Sequence, residues 1–507
     1  MAAHSAVPWG WLSPRGRILA RVRLGVVSYV ITPELADEAV GDGLAWEMRL
    51  RSMPARFTAC FVLGLCLFSA LPYGGVIGEL TAGLRAALAA AGWRDPCSSA
   101  LAAARGRLGE RPLESLFRKV AGAVSPGVAP WSHLGGLLVA AWDGTCVLLP
   151  DSQENAAGFG RSESARTVTG AGGRVGAYPM ARVVTLVACG TRAVIDAAIG
   201  PVAGKGTSEK ALAAGLLGAL HAGMLLLADR GFYSWSLWNG CAATGAQLLW
   251  RVAGGENSLR LPAVRELDDG SWLSRVWERS VRTDGGVPRK NQDRGASRAV
   301  RVIEFTITVA GDGGSTRTER YRLLTTLLDH VAFPAADLAA CYARRWSAEL
   351  SYRELKASLR GPGRVLRGRT PELARQEIWA YLAIYQAIRV LIARAAARDG
   401  LDPARLSFTT ALRAARSSIQ AARSSMPAAL AQAEAEILDP AARLPERHGR
   451  VCPRVAKHRF TIWPPPHRAR IVPHHATYHI TITTPPPATR HPPDHGKQPP
   501  KQPPRPP

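Results

Sequence analysis

The 507-residue sequence has no C-x-x-C pair, and its eight cysteines lie apart from any histidine cluster, which excludes a zinc-finger array and a disulfide framework. No export signal is legible at its start, where Trp9, Trp11, Arg15, Arg17, Arg21 and Arg23 interrupt any apolar run, so a reducing cytoplasm is the expected compartment. Uncharged stretches fall short of the ~20 residues of a membrane span. Residues 57–71 stop at Pro72 and read as a buried helix; residues 211–228 are divided by His221 and Gly223 into helix, turn and buried strand. Acidic residues are scarce as well: 39 oppose 64 Lys and Arg, for a net charge of +25. Residues 441–507 carry +10 of this and residues 1–440 the remaining +15, so the excess is not confined to a tail. A field of that sign favours a phosphate-rich partner.

Residues 1–130 read as helical, with Pro33 opening a helix after Thr32 and arginines at positions 49, 51, 56, 85, 94, 105, 107 and 111 between apolar stretches. They suit a DNA-end-binding domain, or equally a helical bundle with a solvated basic face. From residue 131 to 255 the pattern changes. Apolar runs 137–142 and 146–149 flank Asp143-Gly144, and runs 183–189 and 193–199 flank Gly190-Thr191. A helix over 208–221, a strand over 224–228, a helix from Ser234 and a strand over 247–252 follow. Three strands, helix, strand, helix, strand predicts a mixed sheet with helices on its faces. Residues 256–335 alternate β-branched residues with glycines and read as a β-rich insertion, after which 336–375 resume the sheet domain with an acidic helix. Residues 376–460 are helical, and 461–507 form a Pro-rich basic tail that cannot bury a core and is expected to be disordered. Eight histidines between His448 and His495 are too irregularly spaced for a metal site, and the glycine spacing of residues 200–207 is wrong for a phosphate loop.

Three carboxylates stand where catalytic groups could be placed. Asp143 follows a buried run, although Asp-Gly is also common hairpin-turn chemistry. Asp229 follows Met-Leu-Leu-Leu-Ala at the C-terminal edge of a strand, where open α/β sheets place ligands, or else it caps the next helix. Glu349 belongs to a stripe of Tyr342, Arg345, Glu349, Arg353 and Lys356. At ~100° per residue these fall within roughly 80° of arc on one helix. That stripe is either a salt-bridged solvated face or part of a site, and the surrounding Arg344, Arg360, Arg364, Arg367 and Arg369 favour the site. Three converging oxygen donors suit Mg²⁺ or Mn²⁺, and two such ions about 4 Å apart support phosphoryl transfer on nucleic acid.

The helix motif Y-(2)-R-(3)-E-(6)-K, present without a gap as Tyr342, Arg345, Glu349 and Lys356, resembles that of the insertion-sequence-4 group of DDE transposases. Matching context includes Asp143-Gly144-Thr145, Pro150-Asp151-Ser152, Asn155, Phe159-Gly160, Tyr178-Pro179, Gly190-Thr191-Arg192 and Leu227 to Phe232, and the similarity spans about residues 20–460. The resemblance implies a ribonuclease-H-like mixed sheet, interrupted by the β-rich insertion and flanked by helical regions. It implies Asp143, Asp229 and Glu349 as catalytic metal ligands for two Mg²⁺ ions, with Mn²⁺ as a substitute. Arg345, Arg353 and Lys356 would bind phosphate, Tyr342 would orient the DNA backbone through its hydroxyl, and Tyr321 would stack on a flipped base. Trp346 is read as packing between helix and sheet. The expected partners are double-stranded DNA, as terminal inverted repeats and target, and a second copy of the chain in the synapse; no membrane is expected, and the compartment is the cytoplasm, at the nucleoid when bound to DNA. A nuclease that cuts without joining, and a non-catalytic DNA-binding protein, are the alternatives.

Overall fold

The computed structural model describes residues 13–43, 52–124, 127–161, 178–254, 259, 261–278, 283–284, 287–288, 296–310, 316–420, 425–445, 450–451, 474–475 and 477–484. Its N-terminal part is helical: α1 (Pro14–Leu19), α2 (Pro33–Asp42), α3 (Ala55–Leu67), α4 (Tyr73–Thr81), α5 (Arg85–Ala90), α6 (Ser98–Leu108) and α7 (Arg111–Val120). The Thr32 hydroxyl accepts from Leu35 N–H and Pro33 occupies the first turn, as the sequence predicts.

A sheet follows. Strands β1 (Leu137–Leu148), β2 (Met180–Ala188) and β3 (Val194–Pro201) form an antiparallel meander, with α8 (Gln153–Phe159) between the first two. Helix α9 (Glu209–Ala214) leads to β4 (Met224–Ala228), and α10 (Trp235–Ala243) to β5 (Gln247–Arg251). Strand β4 lies parallel to both β1 and β5, so the spatial order is β3-β2-β1-β4-β5, the ribonuclease-H-like arrangement expected from the strand order. All five residues of β4 are buried, which is why this central strand reads as an unbroken apolar run.

The insertion does not form a separate layer. Strands β6 (Trp272–Trp277), β7 (Ser297–Ala310) and β8 (Thr316–Thr325) continue the same sheet, because β8 pairs antiparallel with β5 and β7 pairs with β8 and β6. The chain then enters α11 (Ala335–Tyr342) and α12 (Trp346–Arg353), a π-helical stretch at Glu354–Leu359, and the helices α13 (Pro371–Arg398), α14 (Phe408–Gln420) and α15 (Met426–Leu438). Strand β9 (Thr477–Thr483) adds to β7, so part of the tail expected to be disordered is paired; most of residues 461–507 lies outside the described residues.

Three cores result. One face of the sheet packs Ala140, Trp142, Leu226 and Ala228 against α9 and α10, with Trp142, Trp238, Trp250 and Phe232 in mutual ring contact. The opposite face packs Val139, Ala141, Leu225 and Leu227 against α11 and α12. The third core joins α2, α3, α6 and α7 to α13, α14 and α15. Among the described residues one helix, α13, is long and apolar enough to cross a membrane, and 89% of its most apolar window is buried inside the protein.

Candidate active site

Strand β1 runs straight through Asp143-Gly144, pairing Asp143 with Thr185, Gly144 with Val184 and so on to Leu148 with Met180, so this Asp-Gly is not a hairpin turn. On its other side β1 is parallel to β4, with Ala141 opposite Leu227. Two positions further along come Asp143, still within β1, and Asp229, the first residue after β4; neighbouring strands lie ~4.8 Å apart. Asp229 keeps extended geometry (φ −78°, ψ 164°) and opens a 3₁₀ turn over Arg230–Phe232.

The helical segment around Glu349 is pinned to both strands by tyrosines, Tyr342 at the end of α11 and Tyr352 in α12. Tyr342 donates to the Ala228 carbonyl at 3.3 Å, immediately before Asp229. Tyr352 donates to the Asp143 carbonyl at 2.8 Å and accepts from Thr185 Oγ1 at 2.8 Å. Arg345 is buried and its Nη2 donates to Glu349 Oε1 at 2.8 Å. Burial pulls its guanidinium toward the neutral form, but Tyr342, Glu349 and Asp229 more than offset that and hold it charged.

Burial pushes the Asp143 carboxyl up to about 6; the Gly144 N–H and Arg345 pull it down, while Glu349 and Glu209 push it further up. The two carboxylates 206 positions apart in sequence, Asp143 and Glu349, therefore feel one another in space. As the side chains stand, no three His, Cys, Asp or Glu among the described residues are gathered tightly enough to hold a metal ion. Asp143, Asp229 and Glu349 all lie within electrostatic reach of Arg345, but they are not gathered as ligands, and the Glu349 carboxylate is turned onto Arg345.

The single stripe predicted for this helix is broken into parts. A 3₁₀ turn at Ala343–Arg345 and the π stretch at Glu354–Leu359 interrupt the regular 100° advance. Tyr342 thus turns inward, with 6% of its surface exposed and its hydroxyl spent on Ala228, which leaves none of it for a DNA backbone in this conformation. Arg353 points to solvent. Lys356 is half-buried, and burial together with Arg360 lowers its ammonium from the ordinary value, while Asp143 acts the other way. Trp346 does not pack between helix and sheet: 53% of it is exposed, with the Arg345 guanidinium 5.3 Å from its ring centre. Tyr321 has both faces covered, by Phe305 at 5.3 Å and 10° and by the Arg251 guanidinium at 4.2 Å. A base could stack on it only if Arg251 moved aside.

Sequence reasoning missed Tyr352 and Glu354. The Glu354 carboxylate is buried and takes Arg192 Nη1 at 2.9 Å, the Tyr385 hydroxyl at 3.1 Å and the Arg389 guanidinium. Its partners lie 162, 35 and 31 positions away, so no local spacing announces them.

Two family models match the chain: the N-terminal region of insertion element 4 transposases over residues 21–118, and the transposase DDE domain over residues 135–386. The chain belongs to the insertion-sequence-4 type of DDE transposases. A relative, the transposase InsG for insertion sequence element IS4 of Escherichia coli (strain K12), is 26% identical over 440 residues, covering 86% of this chain and 92% of that one. Among solved structures, the piggyBac transposase in a synaptic complex with hairpin DNA is similar over 82% of this chain and 85% of that one, at 10% identity and a TM-score of 0.38, too loose a likeness to compare residue with residue. The function is accordingly that of an insertion-sequence transposase, a DNA-acting enzyme dependent on divalent metal. This transposase has donors that suit such an ion: carboxylate oxygens, with a partly buried Asp143 whose charge the protein alone leaves under-compensated.

Proposed function

We propose that Asp143, Asp229 and Glu349 hold two Mg²⁺ ions, replaceable by Mn²⁺, and that the chain cuts at the ends of its element and joins them to target DNA. The observation that carries this reading is that Asp143 lies on β1 and Asp229 directly after the end of the adjacent parallel β4, while Tyr342 of α11 and Tyr352 of α12, the two helices flanking Arg345 and Glu349, bond to the backbone of those strands. Bound there, the ions would activate the attacking oxygen and stabilise the leaving one. A water attacks phosphorus at the element end, the bond to the 3′ oxygen breaks, and a free 3′ hydroxyl remains; that hydroxyl then attacks a target phosphodiester, displacing its own 3′ oxygen. Arg345 neutralises Glu349 before the ions arrive, then turns to the scissile phosphate. Arg353, exposed on the next turn, and Lys356, beside Asp143, bind flanking phosphates. Tyr342 acts from inside, holding the helix to β4. Tyr321 stacks on an extruded base once Arg251 has swung onto phosphate.

The helices of residues 1–130 bind terminal inverted repeats, and two copies of the chain form the synapse, acting at the nucleoid. Asp143→Asn, Asp229→Asn and Glu349→Gln should each abolish Mg²⁺-dependent nicking of end-bearing DNA while leaving its gel-shift affinity within a few-fold of the parent. Nicking that survives any one of these substitutions removes that residue from the site.

A further inference from the structure

Arginines crowd both ends of the basic helix, and the main chain already claims several of them. Arg344 Nη1 donates to the His133 carbonyl at 3.0 Å, Arg364 Nη1 to that of Ser69 at 2.9 Å, and Arg367 Nη2 to those of Ser69 and Leu71 at 2.9 and 2.7 Å. The last two hold the chain just past the end of α3 and are committed there. Arg360 differs. It is 7% exposed, yet its Nε and Nη1 have no hydrogen-bond partner, and no carboxylate among the described residues forms an ion pair with it. A guanidinium does not shed its proton in a protein, so this is a buried charge left without an anion.

Its surroundings offer little relief. Burial lowers the guanidinium from its ordinary value, and Tyr381 and Glu377 act the other way. Tyr381 is a phenol that burial keeps protonated. The Glu377 carboxylate is spent on Arg105 and on the Arg367 and Gly368 N–H groups, at 2.9 and 3.1 Å. Beside Arg360 is a cavity of about 20 Å³, the room of a single water, walled mainly by Val147, Val183, Leu355, Ile378 and Leu382. A water held there would leave most of the guanidinium's N–H donors unmet.

The position of Arg360 in the chain is equally pointed. It ends the π stretch, its N–H closing on the Leu355 carbonyl at 3.0 Å. Gly361 (φ +91°) and Gly363 (φ +70°) follow, so no side chain at either position stands over it. Four positions back, Lys356 is half-buried, has no partner among the described residues, and feels Arg360 as a like charge. Two neighbouring cations, one of them buried and unpaired, form an arrangement that an oxyanion would relieve.

We propose that Arg360 binds a phosphate of the DNA backbone beside the one taken by Lys356, and that the free protein holds it uncompensated until DNA arrives. This rests on the reading of Lys356 as a phosphate contact. The planar fork of a guanidinium can meet two oxygens of one phosphodiester, which the Lys356 ammonium cannot do. Both residues are tested on the full chain in EDTA, so that no strand is cut, by titrating a duplex that carries the element end at a series of NaCl concentrations. Arg360→Met and Lys356→Met should each reduce the slope of log Kd against log salt by about one. In the DNA-free chain Arg360→Met, similar in volume and uncharged, should melt at a higher temperature than the parent. A lower melting temperature would mean that the guanidinium has a partner in the free protein, and would overturn the inference. A slope reduced by Lys356→Met and untouched by Arg360→Met would remove Arg360 from the interface and leave Lys356 in it. Untouched slopes in both would remove the Lys356 reading itself. Inorganic phosphate in place of chloride separates a free ion from DNA: if it raises the melting temperature of the parent and not of Arg360→Met, while both bind the duplex with one slope, the site takes a free phosphate and the DNA assignment falls.

Discussion

Asp143 illustrates what a metal-ready side chain does to its own protein. Its carboxyl is displaced from 3.8 to about 6, chiefly by burial, so at neutral pH the folded chain carries a charge it would rather not hold. At 1.36 kcal/mol per unit the displacement corresponds to about 3 kcal/mol at most. The sign follows from which state binds the proton more tightly. Below the unfolded value the penalty is absent; it grows as pH rises toward 6 and is complete above that. Asp143→Asn should therefore raise the melting temperature of the metal-free chain at pH 7.5 and leave it nearly unchanged at pH 4. Mg²⁺ should stabilise the parent and fail to stabilise the variant. Thermal melts at both pH values, with and without Mg²⁺, provide the check, and equal melting temperatures at pH 7.5 would contradict the argument.

At the scale of elements, the π stretch after Glu349 is held by Glu354, which places one carboxylate between the guanidiniums of Arg192 and Arg389 and the Tyr385 hydroxyl. Arg192 itself sits at φ +57°, a left-handed conformation that non-glycine residues seldom adopt, in the turn joining β2 and β3. Glu354→Gln would leave two buried cations short of an anion and should cost about 3–5 kcal/mol, read as a fall in the urea midpoint. Unchanged stability would mean that the cluster is solvated in solution. Nothing in the sequence announces this cluster, since the partners of Glu354 lie far from it along the chain. The strand order and the ends of β4 were legible because burial on both faces imposes an unbroken apolar run, and the caps at Thr32 and Ser234 were legible because their chemistry is local. The regular helical stripe was not, because 3₁₀ and π turns answer to tertiary partners such as Ala228 and Arg389 rather than to spacing.

For the whole molecule, the N-terminal helices and the last helices share one core, with α13 as its axis. Buried Arg105 ties α6 to α13 through Gln376 at 3.1 Å and Glu377 at 3.4 Å, so the DNA contact proposed for the N-terminal helices would bear on the same helix that Arg389 links to Glu354. The far edge of the sheet is built differently. Strand β7 gives one side to β8 over residues 301–310, and divides the other between β6 over residues 297–302 and β9 over residues 304–310. A chain ending at residue 460 would keep its helices and its carboxylates, yet would bare the amides and carbonyls of that second half of β7, a template for pairing with a neighbour's rim. Light scattering of such a truncated protein should show concentration-dependent self-association that the intact chain does not share, and the Pro-rich end, which reads as ballast, would then be the piece that keeps the molecule from zipping to its own kind.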